Sequence, residues 1–172
     1  MNLWDVEVGR FADGLQGCSS GSLRRLGLRV IEETVTVYGR PVDELFDEAT
    51  VSLYRRAVDE FRSFDGVGSA GSADTVREEW DRLFADAWDW QDGRSPFTAA
   101  SLCQALAQYA DFLLAEGAAE GLLEVLSSCY ESVLSFASLG RVVTVDMERE
   151  DPRCRRAIDL QSALIEEICG IS

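Results

Sequence analysis

Residues 95–140 read SPFTAASLCQALAQYADFLLAEGAAEGLLEVLSSCYESVLSFASLG. Ser95-Pro96 is an N-cap followed by proline at the first helical position, where the missing N–H costs nothing. Phe97, Leu102, Cys103, Leu106, Tyr109, Ala110 and Leu113 then recur at helical spacing until Gly117 breaks the run. Leu122, Val125, Leu126, Cys129, Val133, Phe136 and Ala137 resume the same period and stop at Gly140. Two long apolar helices joined by a few residues place the chain in the all-α class.

The upstream sequence keeps that period. Trp4, Val8, Phe11 and Leu15 share one face of a helix expected over 3–15. After the Gly17–Gly21 break, Ser20 or Ser22 can cap a helix carrying Leu23, Leu26, Val30, Val37 and Tyr38, which ends at Gly39-Arg40-Pro41. Thr34-Val35-Thr36-Val37 is β-prone, so its last turns are weak. Pro41 starts a third helix, with Leu45, Phe46, Ala49, Leu53, Ala57, Val58, Phe61 and Phe64 on its buried face. A Gly/Ser loop at 65–73 reads as flexible. Asp74 then caps a helix with Val76, Trp80, Leu83, Phe84, Ala87 and Trp88.

Downstream, Arg141-Val142-Val143-Thr144-Val145 alternates weakly and reads as extended, without a strand to pair with. Asp151-Pro152 repeats the cap-and-proline signature, and Gly170 closes a last helix carrying Ala157, Ile158, Ile165 and Ile168. The whole predicts one all-α domain over 1–172, a bundle of about six or seven helices.

Composition narrows the chemistry. The 172 residues contain no histidine, and all 16 basic residues are arginine. There is no imidazole to shuttle protons near neutral pH and no lysine for a Schiff base. No P-loop, nucleophile elbow or dinucleotide fingerprint occurs. The reading is therefore of a non-enzyme without a cofactor or metal. No stretch approaches a membrane span, and the N-terminus carries no secretory pattern, so a cytoplasmic protein is expected. Five cysteines, an odd number with no CxxC, read as reduced thiols and not as a disulfide frame or zinc site. Cys103 and Cys129 fall at core positions, whereas Cys18, near a helix start, is the candidate for exposure.

The formal charge is −15, and it is uneven. Residues 41–92 alone carry a net −9. Such a field disfavours nucleic acid and anionic membrane and speeds encounter with a basic partner. Two acidic stretches carry it. In the first, Asp43 and Asp47 are four apart, as are Glu44 and Glu48, so on one helix like charges stack and a partner's cation would relieve them. The competing reading is that Asp43 and Glu44 merely favour a first helical turn. In the second, Glu78, Asp81, Asp86, Asp89 and Asp92 surround Trp80, Phe84 and Trp88. Those three aromatics read first as a core stripe, while Trp90 falls off it as a candidate exposed anchor. Arg24, Arg25 and Arg29, and Arg153, Arg155 and Arg156, form small basic clusters expected to pair with the chain's own acids.

Two segments carry a resemblance. Asp86-Ala87-Trp88-Asp89-Trp90 with Pro96-Phe97-Thr98-Ala99-Ala100-Ser101-Leu102-Cys103-Gln104-Ala105-Leu106 is similar to an acidic–aromatic loop and following helix of the YjaG-like bacterial family, a domain of unknown function. Asp151-Pro152, Ala157-Ile158-Asp159-Leu160-Gln161 and Leu164-Ile165 resemble that family's last helix. The resemblance covers 86–168. It implies an all-helical cytosolic protein and brings no catalytic residues.

Three functional expectations follow. The first is an acidic interaction module using Asp43, Glu44, Asp47, Glu48, Glu78, Asp81, Asp86, Asp89, Trp90 and Asp92 to bind a basic protein. Its sharpest form is an immunity-type inhibitor of a basic toxin such as a nuclease. The second is a carboxylate-based metal-binding protein or small enzyme. The third is a structural homo-oligomer subunit.

Overall fold

The computed structural model describes residues 2–64, 78, 81, 97–115, 117–137, 139 and 142–171. Among these every regular element is helical, in agreement with the all-α reading. The chain begins with α1 (Leu3–Glu7), a 3₁₀ turn (Gly9–Phe11) and α2 (Ala12–Leu15), followed by α3 (Ser20–Val37). Next come α4 (Val42–Leu45) and α5 (Glu48–Ser63). The remaining elements are α6 (Phe97–Leu114), α7 (Ala119–Ala137), α8 (Val145–Glu150) and α9 (Pro152–Cys169).

α6 and α7 form a tightly packed pair, joined through Gly117 at φ 80°. That left-handed conformation suits glycine, and it ends α6 where the sequence breaks. α3 and α9 pack on each other and on α7, and α5 lies against α6 and α3. One contiguous core results, with Leu26, Ile31, Leu102, Leu106, Leu122, Leu126 and Ile165 sealed from solvent. At Gly27, α3 lies close against its neighbours. A Cβ there would sit 2.6 Å from Cε2 of Tyr109 and 2.9 Å from Cδ1 of Leu122.

Several local expectations are corrected. The helix predicted over 3–15 is divided by the 3₁₀ turn, although Trp4, Val8, Phe11 and Leu15 are all buried as the spacing implies. Ser19, not Ser20 or Ser22, caps α3: its extended backbone lets its hydroxyl accept the Ser22 N–H at 3.1 Å. The helix predicted from Pro41 to Phe64 is broken at Phe46, which turns extended (φ −120°, ψ 159°), and Asp47 restarts it by accepting the Thr50 N–H at 2.7 Å. Of the segment read as extended at 141–145, Thr144 is extended (φ −112°, ψ 155°), and no strand forms among the described residues. Thr144 caps α8 by accepting the Met147 N–H, so Val145 is already helical.

Asp151-Pro152 behaves as read. The Asp151 carboxylate accepts the Arg153 and Cys154 N–H groups, and Pro152 occupies the first turn. Gly170 closes α9 at φ 67°. The loop at 65–73, the Asp74 cap, the Trp80–Phe84–Trp88 stripe and Gly140 lie outside the described residues.

Candidate functional site

The first acidic stretch forms the corner between α4 and α5. Pro41 sets its entry with φ −58°, and Asp43 and Glu44 fall in the first turn of α4, where the helix dipole favours acids. The corner is anchored from beneath by Phe46. Its ring meets Tyr38 at 5.9 Å and Phe136 at 5.7 Å, both edge-on, and Tyr38 and Phe136 lie 4.4 Å apart. The Tyr38 hydroxyl and the Ser132 hydroxyl are 2.8 Å apart, and Ser132 donates to the Cys129 carbonyl. The corner therefore rests on a fixed support from α3 and α7.

Above that support, Asp43, Glu44, Asp47 and Glu48 are all exposed. They do not form two stacked like-charge pairs, because the break at Phe46 puts Asp43 and Glu44 on one helix and Glu48 on the next. Three have roles within the fold. Both Asp43 oxygens accept from Nη2 of Arg55 at 2.8 Å. Glu44 accepts from Arg40 at 3.3 Å, and Asp47 is the α5 cap. A groove of about 510 Å³ runs beside them, lined by Asp43, Phe46, Glu48, Val51, Arg55 and Asp59 among others. It is a mixed-charge groove with an apolar floor, not the uniformly anionic surface that the local sequence suggests.

Glu78 and Asp81 are helical and exposed. Asp86, Asp89, Trp90 and Asp92 lie outside the described residues.

Of the two arginine clusters, Arg29, Arg153 and Arg155 meet the chain's own acids, whereas Arg24 Nε is buried without a hydrogen-bond partner. Arg29 meets Glu33 one turn along α3. Arg155 donates to both Glu7 oxygens at 3.2 and 3.1 Å, with Arg149 3.6 Å away, tying α1 to α8 and α9. Arg153 donates to the Phe136 and Ala137 carbonyls at 2.9 and 3.2 Å and closes the end of α7.

A polar arrangement that local reading misses lies inside the bundle. Glu148 is buried, and its Oε2 accepts the Leu3 N–H at 2.8 Å and the Tyr130 hydroxyl at 2.6 Å. Beside it Gln161, also buried, accepts the Trp4 indole N–H at 2.8 Å and donates to the Leu126 carbonyl at 2.9 Å. These groups are consumed in seating α1 on α7, α8 and α9. In sequence, Glu148 looks like one more solvated acid of Asp146-Met147-Glu148-Arg149-Glu150. The only available signal was its place one turn into a capped helix.

The chemistry of the interior is muted. Burial pushes the Cys103 and Cys129 thiols up to about 12, and Cys154 to about 11. Burial likewise raises the Tyr38, Tyr109 and Tyr130 hydroxyls, the last helped by the neighbouring Glu148 carboxyl. All of these hold their protons at neutral pH. Among the described residues no three metal-ligating side chains converge, and no helix is long and apolar enough to cross a membrane.

No protein-family model, curated protein or solved structure matches this chain.

Proposed function

We propose that this protein is a non-enzymatic, acidic interaction module that binds a basic protein through the α4–α5 corner. The observation that carries this reading is the exposure of Asp43, Glu44, Asp47 and Glu48 on a corner anchored by Phe46. Their internal ion pairs do not oppose it. Exposed pairs such as Asp43–Arg55 and Glu44–Arg40 contribute only about 0–1 kcal/mol, so a partner's cations can displace them. The net −15 speeds encounter with a cationic surface.

An immunity-type inhibitor of a basic toxin is the sharpest form of this proposal. Glu78, Asp81, Asp86, Asp89, Trp90 and Asp92 would extend the same surface. Cytoplasmic location and kinship with the YjaG-like family belong to the same proposal.

The test is affinity capture by the tagged full chain from its own cell extract at low salt, followed by a salt gradient. A parallel capture uses the double charge reversal Glu44→Arg with Glu48→Arg, which leaves the Asp47 cap intact. A single basic partner that elutes with salt and is lost from the double variant supports the proposal. A partner held equally by both baits, or resistant to salt, sinks it.

A further inference from the structure

Two of the five cysteines are brought together from opposite ends of the chain. Cys18 lies in the turn between α2 and α3, one residue before the Ser19 cap, and Cys169 is the last residue of α9. Both are partly exposed, whereas Cys103, Cys129 and Cys154 are buried. The seating of the C-terminal segment makes the encounter. After Gly170 reverses the backbone, Ile171 returns onto α2, where its side chain lies 2.9–3.4 Å from the place a Cβ on Gly14 would occupy. Only a glycine admits so close an approach. The Cys18 thiol points back to the same residue, with Sγ 3.7 Å from the Gly14 carbonyl. The Cys169 thiol interacts with the Cys18 thiol across this junction.

We propose that Cys18 and Cys169 are a redox pair that closes to an intramolecular disulfide when the protein meets a hydroperoxide. Burial, and then the interaction with Cys18, push the Cys169 thiol up to about 12, so it keeps its proton; the first oxidation is assigned to Cys18, the thiol beside the start of α3. The Cys18 thiolate attacks the peroxide. The O–O bond breaks, an alcohol or water leaves, and Cys18 becomes a sulfenic acid. Cys169 sulfur then attacks Cys18 sulfur. The S–S bond forms, the S–O bond breaks, and the departing hydroxide takes the Cys169 proton to leave as water. Two thiols and one hydroperoxide give one disulfide, one alcohol or water, and one water. The bond would clamp the end of α9 to the α2–α3 turn.

The absence of lysine makes the test direct, because trypsin can cut this chain only at arginine. Cys18 falls in the peptide 11–24 and Cys169 in the peptide 157–172, each as its sole cysteine. The folded full chain is treated with hydrogen peroxide, blocked with an alkylating agent, digested and analysed by mass spectrometry without reduction. The expected result is a single cross-linked species joining 11–24 to 157–172, with loss of two titratable thiols and recovery of both on adding dithiothreitol. Cys18→Ser and Cys169→Ser, conservative changes at partly exposed positions, should each abolish the cross-link, and Cys169→Ser should trap the Cys18 sulfenic acid for a dimedone-type probe. The proposal is overturned if both peptides stay alkylated, if either cysteine links between chains, or if the cross-link instead takes in Cys103, Cys129 or Cys154.

Discussion

The Tyr130 hydroxyl donates to the buried Glu148 carboxylate at 2.6 Å, and the Leu3 N–H reaches the same oxygen from a helix 145 residues earlier. A buried carboxyl is tolerated only when its acceptors are met by donors. Tyr130→Phe removes one donor at nearly constant volume and should cost about 1–3 kcal/mol in urea unfolding. Glu148→Ala strands the Tyr130 hydroxyl and the Leu3 N–H together, and should cost more than Tyr130→Phe. Equal stability of wild type and Tyr130→Phe would show that the hydroxyl is not needed there.

Asp151 serves two helix ends at once. It caps α9, and its Oδ2 lies 3.2 Å from Arg153, whose other bonds close α7. Burial would raise its carboxyl, but Arg153 and the two N–H groups outweigh burial and hold it below the ordinary carboxylate range. A carboxyl lowered by folding stabilises the fold above its unfolded pKa of about 3.9, and that contribution fades as the pH falls through the lower folded value. Asp151→Ala should cost about 0.5–2 kcal/mol at neutral pH. The loss should shrink below about pH 4, because the wild type gives up the same contribution there. Chemical denaturation of both proteins at neutral and acid pH checks the direction.

Gly27 lets α3 lie close against Tyr109 of α6 and Leu122 of α7. Alanine is ordinarily the better helix former by about 1 kcal/mol. Here its methyl would meet the Tyr109 ring, which cannot easily yield: its hydroxyl donates to the Arg24 carbonyl at 2.7 Å, and Phe61 stands edge-on at 4.8 Å. Overpacking of this kind costs about 1–3 kcal/mol and should exceed the helical gain. Gly27→Ala is expected to lower the melting temperature by about 2–4 °C per kcal/mol of net loss. A raised melting temperature would mean that Tyr109 has room to move.

The helices were legible where local chemistry decides them. Asp151-Pro152 and Gly170 bound α9 by capping rules alone, and the apolar spacing from Leu102 to Ala137 finds the central pair. The break at Phe46-Asp47 was hidden, because Leu45, Phe46, Ala49 and Leu53 keep a helical period straight through it. What breaks the helix is tertiary: the pull of Phe46 into Tyr38 and Phe136. The acids of the corner were legible as residues, but not as a surface. Whether Asp43 is bare or bridged depends on Arg55 one helix later. Glu148 and the meeting of Cys18 with Cys169 depend on partners too distant in sequence for any spacing rule to connect.

The bonds from Leu3 to Glu148 and from Trp4 to Gln161 also set an order of events during synthesis. α1 leaves the ribosome well before its buried partners, which are made 145 and 157 positions later. Until then Trp4 and Leu3 have no apolar seat and their polar groups face water. α3, α6 and α7 can associate while translation continues, but α1 must wait for the chain to reach Gln161. Contacts of such long range slow folding, since a large loop must close before they stabilise anything. Closure of this bundle thus waits for α9, and a ribosome stalled before it would hold a nascent chain with α1 still unmoored.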